Sequence, residues 1–363
     1  MIASFADSCR FGKFALPARI CLWSLMDIKG VCYDVGRLYP SRFLTRKVFD
    51  PAATQRDLRI IRDDLHANAV RFQGRSITRL TTAAEAALEL GLQVWLSPEM
   101  FERSQQATLA YLERAATAAE PLRQRFPNQL TFCVGTEASL FTKKIVPGRS
   151  VNQRIKSLRQ AGLRAHPYAE QLQAFLDQAN QRVRKAFHGP LTYASLIFEH
   201  VDWSQYDIIG VDHYRNSRIE AHYAERLRPF LALGKPVVDA EFGHSSYRGG
   251  NPGHMEFGEL NNESLALHRI PLAGRLFRPR LKTGTNIRDE DQQARELIKT
   301  LKILDAEGVA GAFIWTFADP WLIHTPDPEH DLDMTSTALV KTYSDQSWEP
   351  KQSFHAVADF YAS

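Results

Sequence analysis

From residue 28 onward, short runs of apolar and β-branched residues alternate with longer amphipathic stretches. The short runs predict eight strands: Ile28–Val35 (IKGVCYDV), Asn68–Gln73 (NAVRFQ), Leu92–Ser97 (LQVWLS), Thr131–Leu140 (TFCVGTEASL), Leu191–Leu196 (LTYASL), Asp207–Tyr214 (DIIGVDHY), Pro236–Phe242 within KPVVDAEFGH, and Val309–Phe317 (VAGAFIWTF). Continuous apolar runs of this length fit parallel strands buried on both faces. The longer stretches predict helices over Ala52–Ala67, with Leu58, Ile61 and Leu65 at helical spacing, over Ile77–Leu90, stopped by Gly91, and over Ala107–Arg125, closed by Pro127. Further helices are predicted over Gln171–Phe187, Glu290–Glu307 and Ser353–Tyr361. Residues 138–170 read as a long, partly helical passage, and 244–288, rich in Gly, Pro and Arg, as a long loop with little periodicity.

Repeated strand–helix units imply parallel strands joined by right-handed crossovers, and eight of them close a barrel. A doubly wound open sheet would want a Gly-rich phosphate loop after the first strand, but Gly30 and Gly36 are too far apart for that motif. The expected fold is therefore α/β, a single (β/α)8 TIM barrel over 28–363 with long loops after its fourth and seventh strands, preceded by an N-terminal arm over 1–27. Closure requires the first and eighth strands to be hydrogen-bonded neighbours. The 244–288 loop should lie over the C-terminal face of the barrel.

Composition narrows the function. With 44% hydrophobic residues in 363, the chain is long enough to bury a large core. The net charge of +4 comes without basic repeats or zinc-finger spacing, so no nucleic-acid partner is expected. The four cysteines, Cys9, Cys21, Cys32 and Cys133, form no CxxC pair. Cys32 and Cys133 read as small core residues, and neither a disulfide framework nor a metal centre is predicted. Phe14–Met26 is apolar and follows Arg10 and Lys13, but Arg19 interrupts it and no small-x-small cleavage site follows. A cytoplasmic protein is expected, with no membrane segment and no cofactor.

The chemistry collects at the strand ends. The first strand closes with Tyr33 and Asp34, the second with Arg71 and Gln73, the third with Glu99, the fourth with Thr136 and Glu137, and the fifth with Glu199. The sixth closes with His213 and Tyr214, the seventh with Glu241, and the eighth with Trp315 and Asp319. In a parallel barrel all these groups reach the C-terminal rim, where barrel enzymes keep their chemistry. Two facing glutamates divide labour when one, poorly solvated, keeps its proton and the other stays ionised. Glycoside hydrolysis needs such a pair, and a separation of about 5–5.5 Å implies a covalent intermediate with retention. Glu137 and Glu241 are the catalytic candidates. Tyr33, Arg71, Glu99, Thr136, His213, Tyr214, Trp315 and Asp319 are candidates for binding a small-molecule or oligosaccharide substrate. His324, His330, Asp331 and Asp333 cluster late in the chain without zinc-site spacing and read as a polar eighth loop. Arg269, Arg275, Arg278, Arg280 and Lys282 fall in the seventh loop and read as a solvated lid, or as a greeting for an anionic ligand.

In this order the motifs over about residues 28–361 resemble clan A glycoside hydrolases, which are retaining enzymes on (β/α)8 barrels. The resemblance implies an acid/base at Glu137, ending the fourth strand, and a nucleophile at Glu241, ending the seventh. Arg71, the His213–Tyr214 pair and Trp315 match the clan's second-, sixth- and eighth-strand residues. Thr136 departs from the usual Asn before the acid/base; Gly-Thr-Glu looks like the version in a group of bacterial β-mannanases, and the departure leaves the sugar 2-hydroxyl contact open. The chain is also similar to uncharacterised bacterial barrel proteins labelled as abortive-infection proteins. The alternatives to a β-glycoside hydrolase are a lyase or cyclase of small-molecule metabolism that reuses the two acids, and a non-catalytic carbohydrate-binding barrel.

Overall fold

The computed structural model describes residues 26–39, 43–162, 168–250, 261, 264, 278–282 and 287–363. The predicted arm over 1–27 lies almost wholly outside the described residues, as do Cys9, Cys21, Arg269, Arg275 and most of the 244–288 loop.

Eight strands close a barrel: β1 (Ile28–Gly36), β2 (Ala69–Gly74), β3 (Gln93–Pro98), β4 (Leu130–Thr136), β5 (Leu191–Leu196), β6 (Ile209–Asp212), β7 (Val237–Phe242) and β8 (Gly311–Ile314). Neighbours in sequence are neighbours in space and every pair is parallel. The ring is completed by β1 on β8, with Ile28 opposite Gly311 and Val31 opposite Ile314. The helices are α1 (Pro51–Asp63), α2 (Ile77–Glu89), α3 (Gln105–Arg125), α4 (Ala138–Phe141), α5 (Val151–Ala161), α6 (Ala169–Ala186), α7 (Arg228–Leu231), α8 (Glu290–Ala306) and α9 (Gln352–Ala362). Four of the long helices start at capping residues: the side chains of Asp50, Ser76, Ser104 and Asp289 accept from amides of the first turns of α1, α2, α3 and α8.

The outer layer is thinned on one side. Among the described residues the passage from β5 to β6 holds only the 3-10 turn Trp203–Gln205, and that from β6 to β7 holds the 3-10 turn Glu220–His222 and the short α7. Two small hairpins, Leu38–Tyr39 with Phe43–Leu44 and Val340–Thr342 with Trp348–Pro350, were not predicted, because strands of two or three residues carry no periodicity.

Alternation along the strands divides the core. Val31, Tyr33 and Val35 of β1, with Val70 and Phe72 of β2, pack outward among the helices. Cys32, Ala69, Trp95, Cys133, Ala194, Val238, Ala240 and Phe313 form a second, interior cluster. Trp95 and Phe313 fill the lower barrel with ring centroids 4.9 Å apart. A Cβ on Gly30 would fall 2.3 Å from the Phe313 ring, so the neighbouring strand must carry glycine there. The last helix seals the same region: Lys29 Nζ donates to Tyr361 O (2.6 Å) and Tyr361 Oη donates to Gly30 O (2.9 Å). No helix among the described residues is long and apolar enough to cross a membrane.

Outside the barrel, Asp57 of α1 accepts from Tyr33 Oη (2.6 Å) and Trp348 Nε1 (2.9 Å), tying α1, β1 and the late hairpin together. Asp57→Ala strands both donors, and we expect a loss of about 2 kcal/mol in urea-unfolding free energy. An unchanged midpoint would show that this contact does not hold the three elements.

Candidate active site

Arg71 projects inward from β2, is fully buried, and organises the upper barrel. Its Nη1 donates to Ala240 O (2.6 Å), and lies 3.5 Å from Asp212 Oδ1 and 3.4 Å from Glu241 Oε2. Its Nη2 donates to Thr136 Oγ1 (3.0 Å) and Ser97 Oγ (3.4 Å). One guanidinium therefore joins β2, β3, β4, β6 and β7 from inside. Burial pushes the Asp212 carboxyl well above the usual range, against the pull of Arg71.

Glu241 collects donors. Besides Arg71, Gln73 Nε2 donates to its Oε2 (3.1 Å) and Tyr214 Oη to its Oε1 (2.9 Å). Gln73 also donates to Glu99 Oε1 (3.1 Å), and Arg37 Nε donates to Glu99 Oε2 (2.7 Å). Burial raises the Glu99 pKa even beside Arg37. The Arg37 guanidinium also lies over the Trp315 ring, 4.4 Å from its centroid. The Trp315–Thr316 peptide is cis.

Glu137 sits differently. The β4–β5 register shifts between Cys133 and Thr136, which turns Thr136 inward, and Glu137 follows in the left-handed region at φ 44°, ψ 49°. Burial first, then the charges of Glu241 and Glu199, push its pKa well above the carboxylate range, while Arg37 and Arg71 pull the other way. The site thus holds one carboxyl biased toward its proton and one surrounded by a cation, an amide and a phenol.

The structure brings Arg71, Glu99, Thr136, Tyr214, Trp315, Glu137 and Glu241 to this end of the barrel. Two of the sequence-predicted binding residues point elsewhere. Tyr33 faces the helix layer, stacked on Phe317 and bonded to Asp57, because odd positions of β1 point outward. The His213 ring stacks on Tyr223 (4.1 Å between centroids) and its Nε2 meets Tyr223 O at 3.1 Å. Burial pushes it down to about 4, so it is a neutral packing residue. Asp319 is buried in the loop after β8. The binding candidates left out Gln73, although it was named at the end of the second strand, and Ser97 and Asp212, although each lies two residues from a chosen one. Arg37 was missed outright. Asp34 Oδ1 accepts from Gly36 N (2.6 Å) and Arg37 N (3.1 Å), making a turn past the strand end that no periodicity reveals.

The late acidic cluster is filled by cations of the chain. Ligand-type atoms of His324, Asp331 and Asp333 lie within 4.8 Å of one another. Arg288 Nη2 donates to Asp331 Oδ2 (2.8 Å) and Asp333 Oδ2 (2.8 Å) and lies 3.0 Å from His324 Nδ1, which is 2.9 Å from Asp331 Oδ1, and Lys351 Nζ lies 3.0 Å from Asp333 Oδ2. His330 pairs separately with Asp327 (2.9 Å). Arg280 pairs with Glu329 (3.2 Å), and Leu281 N donates to Glu329 O (2.9 Å). Ser246 N donates to Met334 O (3.1 Å), so the described parts of the seventh loop are laced to the eighth. A cavity of about 800 Å³ lies between the start of α6, residues 197–203 and α7; none of Glu137, Glu241 and Arg71 lines it.

No family model matches the chain and no curated protein matches it. Among solved structures it is similar to a GH113 β-1,4-mannanase at 14% identity and TM-score 0.55, over 93% of this chain and 100% of that one. It is similar to the GH113 β-mannanase of Alicyclobacillus acidocaldarius at 18% and 0.56, over 94% and 98%. A β-glucuronidase of Dictyoglomus thermophilum matches at 15% and 0.55, over 93% of this chain but 51% of its own length. At such identities the likeness establishes the barrel fold.

Because its folded pKa is raised, Glu137 weakens the fold as pH rises from its unfolded value, about 4.3, up to its folded value. Glu137→Gln removes that titration. The stability of the variant relative to wild type should grow as pH rises above about 4 and level off once the native carboxyl has ionised. Urea unfolding between pH 4 and 8 checks this; a pH-independent difference would rule it out.

Proposed function

We propose that the protein is a retaining glycoside hydrolase acting on a β-linked sugar. The observation that carries the reading is the asymmetry between the two glutamates: Arg71, Gln73 and Tyr214 all direct donors to Glu241, while burial and neighbouring negative charge keep Glu137 biased toward its proton. The likeness of the fold to mannanases and glucuronidases agrees with it.

In the first step Glu241 attacks the anomeric carbon while the Glu137 proton passes to the departing glycosidic oxygen, leaving a glycosyl ester on Glu241. Esterification removes the Glu241 charge that had raised the Glu137 pKa. Glu137, now a carboxylate, takes a proton from water as the water oxygen attacks the anomeric carbon. Glu241 is released ionised and Glu137 protonated, so both groups return to their starting states. Arg71 and Tyr214 serve as donors to the nucleophile's leaving carboxylate in this second step. The Thr136 hydroxyl accepts from Arg71, with Ser97 Oγ 3.3 Å away. That inward commitment favours, as a second reading, a lyase or cyclase that needs no contact with a sugar 2-hydroxyl.

Aryl β-glycosides test the first reading. Glu241→Gln should lose at least about a thousandfold in turnover. Glu137→Ala should keep partial activity on activated aryl substrates and be accelerated by azide, with a glycosyl azide as product. Wild-type turnover in either variant would refute the assigned roles. A wild-type enzyme inert toward every aryl glycoside would turn the search to the lyase or cyclase.

A further inference from the structure

Beside the Glu137 turn stands a buried carboxylate that the two-glutamate mechanism does not use. Glu199, in the turn after β5, accepts at Oε1 from Ser139 N (3.1 Å) and the Ser139 hydroxyl. At Oε2 it accepts from Tyr193 Oη (2.8 Å), Leu196 N (3.1 Å) and Ser195 Oγ (3.2 Å). Tyr193 Oη in turn accepts from Ala138 N (2.7 Å). The two amides that follow Glu137 therefore both end on Glu199, one directly and one through a phenol.

Those amides open α4, a single helical turn, and would otherwise lack partners. They also fix the backbone just after Glu137, whose left-handed φ of 44° is costly for a residue with a Cβ, on the order of 1–3 kcal/mol. All five partners of Glu199 are neutral donors: burial raises its pKa, the donors oppose that rise, and no paired cation among the described residues cancels the charge they favour. A glutamine would present an NH2 to donors on one side, and only a carboxylate satisfies the set.

We infer that Glu199 is a positioning residue for the acid/base: it holds the turn that aims Glu137 and sets a second negative charge beside it. This rests on the acid/base role proposed for Glu137. The ionisable groups facing Glu137 are Glu241 on β7, Glu199 after β5, Asp212 on β6, Arg71 on β2 and Arg37 after β1; Glu241 and Glu199 favour its proton, the two arginines oppose it, and Asp212, itself pushed up by burial, interacts with it as a second carboxyl. Removing the Glu199 charge tips that balance toward the ionised form.

The test compares Glu199→Gln with Tyr193→Phe in the full chain. In Glu199→Gln the Glu137 carboxyl, followed by difference infrared spectroscopy against Glu137→Gln, should titrate at lower pH than in wild type. The basic limb of kcat/KM should move down with it. Phenyl glycosides, which need protonation to depart, should slow at least about tenfold more than dinitrophenyl glycosides, with KM little changed. Tyr193→Phe keeps the Glu199 carboxyl, loosens the turn and removes one of several donors that favour the charged form, so it should slow phenyl glycosides selectively while the basic limb moves less than in Glu199→Gln. A wild-type Glu137 titration in Glu199→Gln, or equal losses for both leaving groups, overturns the inference. If Glu199→Gln does not fold, Tyr193→Phe decides alone: selective slowing supports the inference, and uniform or absent slowing overturns it. If wild-type protein cleaves no glycoside, the hydrolase reading fails, and the Glu137 titration still decides whether Glu199 acts on it.

Discussion

A guanidinium cannot be left alone in the middle of a barrel. Arg71 is sealed from water, and removing a charge from water costs several kcal/mol unless partners replace the lost hydration. Much of the upper barrel is the set of partners this requires: a backbone carbonyl of β7, two hydroxyls from β3 and β4, and carboxylates from β6 and β7. The same contacts fix where Glu241 sits. The contacts that replace most of the lost hydration of Arg71, whose Nε alone finds no partner among the described residues, are thus the ones that hold Glu241.

The two candidate acids then differ by construction rather than by residue type. Glu241 lies within β7, where the register shifts on both edges, but keeps its place in the strand and meets donors from β2 and from the residue after His213. Glu137 comes after a register shift, in a backbone conformation that turns it away from the strand's own alternation. A buried carboxyl in such a place is a stability burden, and sites of function are where such burdens persist. The ion cluster of Arg288, Asp331, Asp333 and Lys351 does the opposite work at the rim, where charges of both signs lace the seventh and eighth loops to the start of the last helix.

The strand order was legible because parallel strands buried on both faces read as continuous apolar runs, and these are hard to mistake when they recur eight times. Direction was not. Tyr33 follows the inward-facing Cys32, and His213 lies between Asp212 and Tyr214, yet adjacent strand positions face opposite ways, and only an anchor such as Arg71 tells which parity looks inward. At β4 even an anchor fails, since Cys133 and Thr136 both point into the barrel across the shift. Arg37 was hidden for another reason: a turn built on Asp34, not a strand, delivers it. The thin wall between β5 and β7 could not be read either, because a segment that lacks a long helix leaves no pattern to count.

The closure of the ring has a consequence for how the chain is made. β1 finds β2 early, but its other edge waits for Gly311, and the floor beneath it waits for Tyr361. At synthesis rates of roughly 5–20 residues per second that interval is tens of seconds. Throughout it, the nascent protein carries an open strand edge, the kind of surface that pairs with other chains. The burden of misassembly therefore falls on the half-made barrel, before the ring can close, rather than on the finished one.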